Sequence, residues 1–306
     1  MKIEYQHKRF RQKSYDLINL CNEIIANFQA EGFDLTLRQL YYQLVSRAVI
    51  PNNEKSYDNI GALINDARLA GLVDWNAIVD RTRNLRNLPH WDKPSEIIDG
   101  AARQFNYDRW ATQPGRVEVW IEKDALIGVI GGTCTSLDTP YFSCRGYTSQ
   151  SEMWAAAQRI TKRYLEQEQE TTILHLGDHD PSGIDMTRDI TDRLQMFCEG
   201  DGAIAPIVDR IALNMNQIRK YNPPPNPAKI TDSRAAQYIA EYGNESWELD
   251  ALDPKVIVAL IKKNIVTHID AEKFEEATLK QEHAREELAK IAKSYDGVVR
   301  KLNAKK

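Results

Sequence analysis

The segment TTILHLGDHDPSGIDM, residues 171–186, passes from an apolar run into a polar turn within a short stretch. Its first half predicts a buried β-strand, because a short apolar run bounded by turn residues is typical of one. Three more segments predict strands on the same grounds: RVEVWIE, TPYFSCRG and IVDRIAL. Helical segments such as SQSEMWAAAQRITKRYLEQ lie between them. Strands that alternate with helices predict an α/β domain with a parallel sheet, which we place at residues 116–265.

Three carboxylates stand where predicted strands end: Asp178 and Asp180 follow the opening strand, and Glu122 ends RVEVWIE. Because the ends of parallel strands meet at one edge of a sheet, we expect these side chains to share a crevice. Carboxylate oxygens suit Mg²⁺, for which Mn²⁺ can substitute, and a metal there would polarise a phosphodiester. The alternatives are turn chemistry for the aspartates and an ion pair of Glu122 with Lys123. His179 should face away from the carboxylates, since alternate residues of an extended chain point opposite ways.

The first third of the chain has helical periodicity. Residues 10–29 predict an amphipathic helix, and Thr36 begins a second helix with Gln39 at the spacing of a capping box. A third helix follows and ends at Gly71, and the segment WNAIVDRTRNLR then predicts a short strand and a basic hairpin or loop. This order is that of a winged helix, which we place at residues 31–90, but a plain helical bundle fits the pattern equally well.

The segment LTLRQLYYQLVSR, residues 35–47, places two tyrosines side by side in the second helix. On a helical wheel, Tyr41 falls in the apolar stripe and is predicted to be a core residue. Tyr42 falls on the polar side next to Arg38, where it would be exposed and could meet a phosphate. A phenol needs a nearby cation or base to become a nucleophile. The alternative is a surface tyrosine that packs on neighbouring aliphatic carbons.

The charge of the chain argues mildly against a nucleic-acid partner. The 306 residues include 40 Lys and Arg against 44 Asp and Glu, a formal net charge of −4. Proteins that bind duplex DNA usually carry a basic surplus. A local cluster can still bind phosphate on an acidic protein, and Arg81, Arg83 and Arg86 form such a cluster.

The cysteine pattern and hydropathy favour a cytoplasmic protein. The four cysteines are scattered without a CxxC pair, which indicates reduced thiols and neither a disulfide framework nor a zinc site. The sequence contains no apolar run of the roughly 18 residues that a membrane span needs, so we expect no membrane partner. The N-terminal residues are too polar for a secretory signal.

Four motifs together resemble a known family. In chain order they are LRQLYYQL at 37–44, IEKDAL at 121–126, CRGY at 144–147 and GDHDPSGIDM at 177–186. They resemble the winged-helix and Toprim segments of the A subunit of DNA topoisomerase VI and its meiotic break-forming relatives. The sequence is shorter than typical A subunits, which places the resemblance nearest to the small orphan members called mini-A. The resemblance covers most of residues 30–265. The segments PNPAKITDSR and NESWELDAL have only partial counterparts in that family.

The resemblance implies a site and a reaction. Tyr42 would be the nucleophile that cleaves duplex DNA and forms a 5′-phosphotyrosyl link, with Arg38 stabilising the phosphate. Glu122, Asp178 and Asp180 would hold Mg²⁺. In the resembled family the tyrosine of one subunit meets the metal site of the other, so the resemblance implies a homodimer. Strand passage driven by ATP would need a separate ATPase subunit of the GHKL type.

The resemblance also implies DNA contacts and a domain order. We expect DNA to be contacted by basic side chains of both domains: Arg81, Arg83, Arg86, Lys123 and Arg145. The expected order is an N-terminal helix (1–30), the winged helix, an extended linker (91–115), the Toprim domain and a C-terminal helical extension (266–306), in a cytoplasmic protein associated with the nucleoid. Two other functions remain open at this point: a Toprim nuclease that uses water, and a DNA-binding module without catalysis.

Overall fold

The computed structural model describes residues 1–30, 32–79, 88–228 and 232–304. In these residues the helices are α1 (Gln12–Ala30), α2 (Leu37–Ser46), α3 (Glu54–Leu69), α4 (Pro94–Gln104), α5 (Ile127–Ser136), α6 (Gln150–Gln167), α7 (Pro181–Gly200), α8 (Met215–Tyr221), α9 (Ala235–Tyr242), α10 (Pro254–Val266), α11 (Ala271–Lys293) and α12 (Tyr295–Asn303). The strands are β1 (Gly115–Ile121), β2 (Tyr141–Ser143), β3 (Glu170–Leu176), β4 (Ile207–Ala212), β5 (Asn226–Pro227) and β6 (Glu245–Ser246).

The chain divides into two compact units. Unit 1 combines the segments Met1–Arg83 and Val117–Val266, and unit 2 combines Asn84–Arg116 and Thr267–Lys306. Each unit is therefore built from two separate stretches of sequence. All of the predicted site residues that the structure describes belong to unit 1.

A four-stranded parallel sheet forms the centre of the second segment of unit 1. The strand order is β2-β1-β3-β4, and the pairs β1–β2 and β3–β4 are parallel. Helices α6 and α7 pack on this sheet in one core, in which Trp120, Met153 and Ile173 are fully buried. Helix α10 packs against α5 and β4. The prediction of an α/β fold with a parallel sheet is confirmed.

Helices α1, α2 and α3 share a second core in unit 1. Ile18 of α1, Leu40 of α2 and Ile64 of α3 are buried together in it. The predicted capping box is present: the Thr36 side chain accepts from the Gln39 backbone, and the Gln39 side chain accepts from the Thr36 backbone. In the described part of the predicted strand, Ile78 forms one isolated β-bridge, with Leu35. Most of the predicted basic hairpin lies outside the described residues.

The predicted linker contains a helix. Helix α4 packs against α11 in unit 2, and the buried Trp110 contacts Phe274 with ring centroids 6.2 Å apart. The prediction of an extended linker is therefore wrong. Its prolines suggested irregular chain, but Pro94 occupies the first turn of α4, where the backbone N–H that proline lacks has no helical partner.

The cysteines agree with the expectation of reduced thiols. All four cysteines are buried free thiols, without a disulfide. Within the described part of the chain, no helix is long and apolar enough to cross a membrane.

Asp178, His179 and Asp180, which we call the acidic loop, lead from β3 directly into α7. Asp180 is the N-cap of α7, and its Oδ1 accepts from the Gly183 amide at 2.6 Å. Pro181 follows at the first helical position, an arrangement typical of helix starts. A Cβ on Gly183 would lie 2.2 Å from the carbonyl oxygen of Asp178. The tight entry therefore requires glycine at this position.

Gly183→Ala should destabilise the protein by about 2 kcal/mol or more, because the added methyl group must displace the backbone of the acidic loop. Gly200→Ala is the matched control, since it lies in the same helix with no atom within 4 Å of the added Cβ. The control should be neutral or stabilising by up to about 1 kcal/mol. Urea denaturation measures both changes. Equal stability of the two variants would contradict the close packing at Gly183.

Candidate active site

Tyr42 is buried, contrary to the prediction that it is exposed. Tyr41 and Tyr42 are both 4% exposed, and their rings lie edge to face at 5.2 Å. They pack with Ala251, whose segment lies against α2. The polar face of an isolated helix is thus covered by chain about 200 residues later. The burial of Tyr41 is confirmed, and its hydroxyl donates to Asn52 Oδ1 at 2.9 Å.

Arg38 and Glu248 surround the Tyr42 side chain. The Arg38 guanidinium lies 5.8 Å from the centre of the Tyr42 ring and forms ion pairs with Glu248 and Asp250, the latter at 2.9 Å from Nε to Oδ2. The Tyr42 side chain and the Glu248 carboxylate line the same cavity. Burial, followed by the charge of Glu248, raises the pKa of Tyr42. The phenol is therefore held in its neutral form.

Lys123 connects this group to the acidic loop. Its Nζ lies 2.8 Å from Asp178 Oδ2 and 3.3 Å from Glu248 Oε2. Lys123 was expected to contact DNA, whereas in the structure its ammonium group is bonded to two carboxylates. Glu248 thus joins Arg38 and Tyr42 on one side to Lys123 and Asp178 on the other, all within one chain.

The predicted carboxylates at the strand ends come together in part. The Asp178 amide donates to Glu122 Oε2 at 2.8 Å, so these two residues are direct neighbours. Asp180 is close enough to influence the pKa of Glu122, but its carboxylate caps α7. His179 faces away from the carboxylates, as predicted, and bonds the Tyr238 hydroxyl at 2.8 Å.

The segment Trp247–Leu252 is paired with the acidic loop through backbone hydrogen bonds. His179 donates to the Trp247 carbonyl at 2.8 Å, and Trp247 donates back at 2.9 Å. The Leu249 amide donates to Asp178 Oδ1 at 2.8 Å. These bonds fix the position of Glu248. Sequence reasoning missed Glu248 and Asp250, although the ELD triplet that contains them repeats the spacing of the two loop aspartates.

Arg210 lies beneath the acidic loop and was also missed. Its guanidinium donates to four carbonyl oxygens and one hydroxyl: Gly177, Asp178, Gly183, Leu213 and Thr187 Oγ1. Burial lowers the pKa of Arg210 to about 10, although nearby carboxylates oppose this shift. The signal available in the sequence was an arginine inside a predicted apolar strand.

The carboxyl groups of the site differ sharply in proton affinity. Burial and then repulsion by Asp178 raise the pKa of Glu122 to about 7. Burial also raises the pKa of Asp250 to about 7, even though Lys123 and Arg38 oppose it. Burial would raise the Glu248 pKa as well, but Lys123 and Arg38 outweigh it and lower that pKa to about 2. Glu248 therefore remains ionised at neutral pH.

The site brings five carboxylates (Glu122, Asp178, Asp180, Glu248 and Asp250) together with three cations (Arg38, Lys123 and Arg210). Because their pKa values are raised to about 7, Glu122 and Asp250 are not fully ionised at neutral pH. In addition, the Asp250 Oδ1 atom is buried without a hydrogen-bond partner. The described residues contain no preformed group of three His, Cys, Asp or Glu metal ligands. Carboxylate oxygens are donors of the kind that Mg²⁺ prefers, but Asp178 is paired with Lys123 and Asp180 caps α7.

An open cleft of about 360 Å³ adjoins Tyr42. It is lined by aromatic, amide and charged side chains: Arg38, Tyr41, Tyr42, Asn52, Asn53, Glu54, Tyr57, Asn226 and Glu248. The buried Tyr42 is therefore reachable from this cleft, and Glu248 lies at its wall.

Arg145 is another predicted DNA contact that the structure describes. Arg145 has an exposed side chain, 74% accessible, and its guanidinium pairs with Asp124 at 3.1 Å and 3.2 Å. Arg81, Arg83 and Arg86 lie outside the described residues.

Comparisons with family models and with curated proteins found no match for the chain. The function must therefore be argued from the residues and their geometry.

Glu122→Gln should change the pH dependence of stability. Because the pKa of Glu122 is raised from 4.5 to about 7, the folded protein binds more protons than the unfolded chain between these values, and its stability falls as pH rises through them. Glutamine keeps an acceptor for the Asp178 amide without the charge. The variant should match the wild type near pH 4.5 and exceed its unfolding free energy by about 3 kcal/mol above pH 7.

Urea denaturation at both pH values, in buffer with a chelator, measures this difference. Glu245→Gln, which removes an exposed carboxylate of β6, is the control and should show no such divergence. A Glu122→Gln variant that is less stable than the wild type above pH 7 would contradict the repulsion assigned to Glu122.

Proposed function

We propose that the chain is a DNA-cleaving transesterase resembling the A subunit of DNA topoisomerase VI, with a winged helix at 31–90 and a Toprim domain at 116–265. One observation carries the proposal. The Tyr42 side chain, two cations and the Asp178 carboxylate lie around Glu248 in one connected site. A nucleophile, anion-binding groups and hard oxygen ligands are the parts that phosphodiester transfer needs.

The proposed reaction exchanges one ester for another. The Tyr42 oxygen attacks the phosphorus, a P–O bond to the DNA 3′ oxygen breaks, and a 5′-phosphotyrosyl link forms. The phenol loses one proton and the departing 3′ oxygen gains one, so the step consumes neither water nor a net proton. Because one phosphoester replaces another, the cleavage is reversible.

The side chains of the site have distinct roles in this proposal. Arg38 lies beside the Tyr42 ring and would stabilise the charge on the attacked phosphate. Glu122, Asp178 and Asp180 would hold Mg²⁺ or Mn²⁺, which would supply positive charge at the scissile phosphate. Arg210 holds the acidic loop in place through its carbonyl contacts.

The proposal includes partners. Duplex DNA is the substrate, and Arg145 together with Arg81, Arg83 and Arg86 would contact its phosphates. Two copies of the chain would cut both strands as a homodimer. Strand passage would depend on a separate GHKL-type ATPase subunit. The proposed setting is the cytoplasm, in association with the nucleoid.

The burial of Tyr42 favours a second candidate. A phenol whose pKa is raised by burial is a weaker nucleophile than an exposed one. In a Toprim nuclease, water attacks the phosphate and Tyr42 serves only as a structural residue. The two functions differ in whether protein remains covalently attached to DNA.

Tyr42→Phe should abolish DNA cleavage and the covalent adduct, because it removes the attacking oxygen. Tyr41→Phe is the matched control: it removes the neighbouring hydroxyl, which donates to Asn52, at a cost of about 1 kcal/mol, and should keep both activities. Denaturing electrophoresis of end-labelled duplex DNA, with Mg²⁺ and with a chelator, measures cleavage and adduct together. Cleavage by Tyr42→Phe at the wild-type rate would establish the nuclease instead.

Mixing inactive variants tests which chain supplies the carboxylates. The described contacts connect Tyr42 to the acidic loop of its own chain, in contrast to the two-chain site that the resemblance implies. We therefore expect a mixture of Tyr42→Phe and Glu122→Gln chains to remain inactive. If the site were shared between subunits, each mixed dimer would hold one intact site and nick one strand. Nicking by the mixture, but by neither variant alone, would refute the single-chain arrangement.

A further inference from the structure

We propose that Arg38 and Lys123 form a binding site for one phosphate group, and that the Glu248 carboxylate occupies this site in the free protein. The inference deepens the proposed function, since assigning the phosphate to DNA rests on it. The phosphate site itself is carried by three observations: the donors that meet at Glu248, the anchors that hold those donors, and the greater exposure of Glu248.

The first observation is the set of donors at Glu248. Its carboxylate accepts from the Arg38 guanidinium and from Lys123 Nζ at 3.3 Å. Asn226 Nδ2 is 3.5 Å from Oε1. Two cations that converge on one oxyanion are ligands that a phosphodiester would also use. Tyr42 lines the same cleft, and its ring centre lies 5.8 Å from the Arg38 guanidinium, so an anion bound here lies beside the candidate nucleophile.

The second observation is that each cation has another anchor. Arg38 Nε is 2.9 Å from Asp250 Oδ2, and Lys123 Nζ is 2.8 Å from Asp178 Oδ2. Both cations would therefore stay in place if Glu248 moved away. A phosphate would then enter a site whose donors are already positioned, which reduces the entropy lost on binding.

The third observation separates Glu248 from these two anchoring carboxylates. The Glu248 side chain is 24% exposed, whereas Asp178 and Asp250 are 8% and 2% exposed. Of the three, only Glu248 belongs to the wall of the cleft beside Tyr42. It is thus the carboxylate that can turn into solvent when an anion arrives through the cleft.

The arrangement makes Glu248 an intramolecular competitor of phosphate. A free phosphate ion must displace a carboxylate that the fold holds nearby, so isolated anions bind weakly. DNA offers further phosphates to other basic side chains and can displace Glu248 through their combined contribution. When Glu248 leaves, the bound phosphate takes its place in the cleft that Tyr42 lines.

The test measures binding of inorganic phosphate by titration calorimetry at fixed ionic strength. Glu248→Gln removes the competing charge and should bind phosphate at least about tenfold more tightly than the wild type. Glu245→Gln is the control, because it removes an exposed carboxylate three residues away and should bind like the wild type. Adding Lys123→Gln to Glu248→Gln should abolish the gain.

Several outcomes decide the proposal. The proposal is overturned if Glu248→Gln and the wild type bind phosphate with equal affinity. It is also overturned if the double variant with Lys123→Gln still binds phosphate more tightly than the wild type. Should Glu248→Gln fail to fold, as judged by near-UV circular dichroism, Glu248→Asp withdraws the carboxylate by one carbon and should bind phosphate more tightly than wild type. No gain in that variant also overturns the proposal.

DNA cleavage assays on the same variants separate this inference from the proposed function. If Glu248→Gln binds phosphate more tightly than the wild type but no variant cleaves DNA, the phosphate site is supported and transesterification is refuted. If the wild type cleaves DNA but Glu248→Gln binds phosphate no more tightly than the wild type, the phosphate site is refuted and transesterification remains supported.

Discussion

The site depends on the backbone pairing between the acidic loop and the segment Trp247–Leu252. Buried backbone groups need partners, and here His179 and Trp247 satisfy each other's N–H and C=O groups, while Leu249 donates to Asp178. Through these bonds, residues about 70 positions apart in sequence become neighbours. Without them, Glu248 would not reach Lys123, and α2 would lose the carboxylates that hold Arg38 above Tyr42.

Local sequence patterns predicted most of the secondary structure and half of the site. The capping box at Thr36, the strands of the parallel sheet and the contact of Glu122 with Asp178 all follow from spacing within short segments. The burial of Tyr42 did not, because a helical wheel describes one helix and the covering residue, Ala251, comes from another part of the chain. Glu248 and Arg210 were missed for the same reason: their roles arise from tertiary contacts.

Ion pairs and hydrogen bonds to three cations hold the acidic loop in place and leave Glu248 as the partner that can exchange for a phosphate. Arg210 is a permanent cation beneath the acidic loop, where its contacts with carbonyl oxygens offset the loss of solvation. Arg38 and Lys123 instead lie between pairs of carboxylates, each with one partner that is deeply buried and one that is shared. The deep partners fix the cations, and the shared Glu248 is the variable element. Asp178 and Asp250 therefore hold the cations in place, while Glu248 is the residue that exchanges for a phosphate.

Unit 2 has a consequence for the order in which the protein folds during synthesis. Its helix α4 and the buried Trp110 pack against α11, and Gln113 bonds to Asp270, which lies 157 residues further along the chain. At a ribosomal rate of roughly 5 to 20 residues per second, that separation corresponds to about 8 to 30 s. During this interval the early segment has left the ribosome without its partner, so Trp110 remains open to solvent and to chaperones. Completion of unit 2 is therefore a late event, set by translation as much as by the chain's own folding rate.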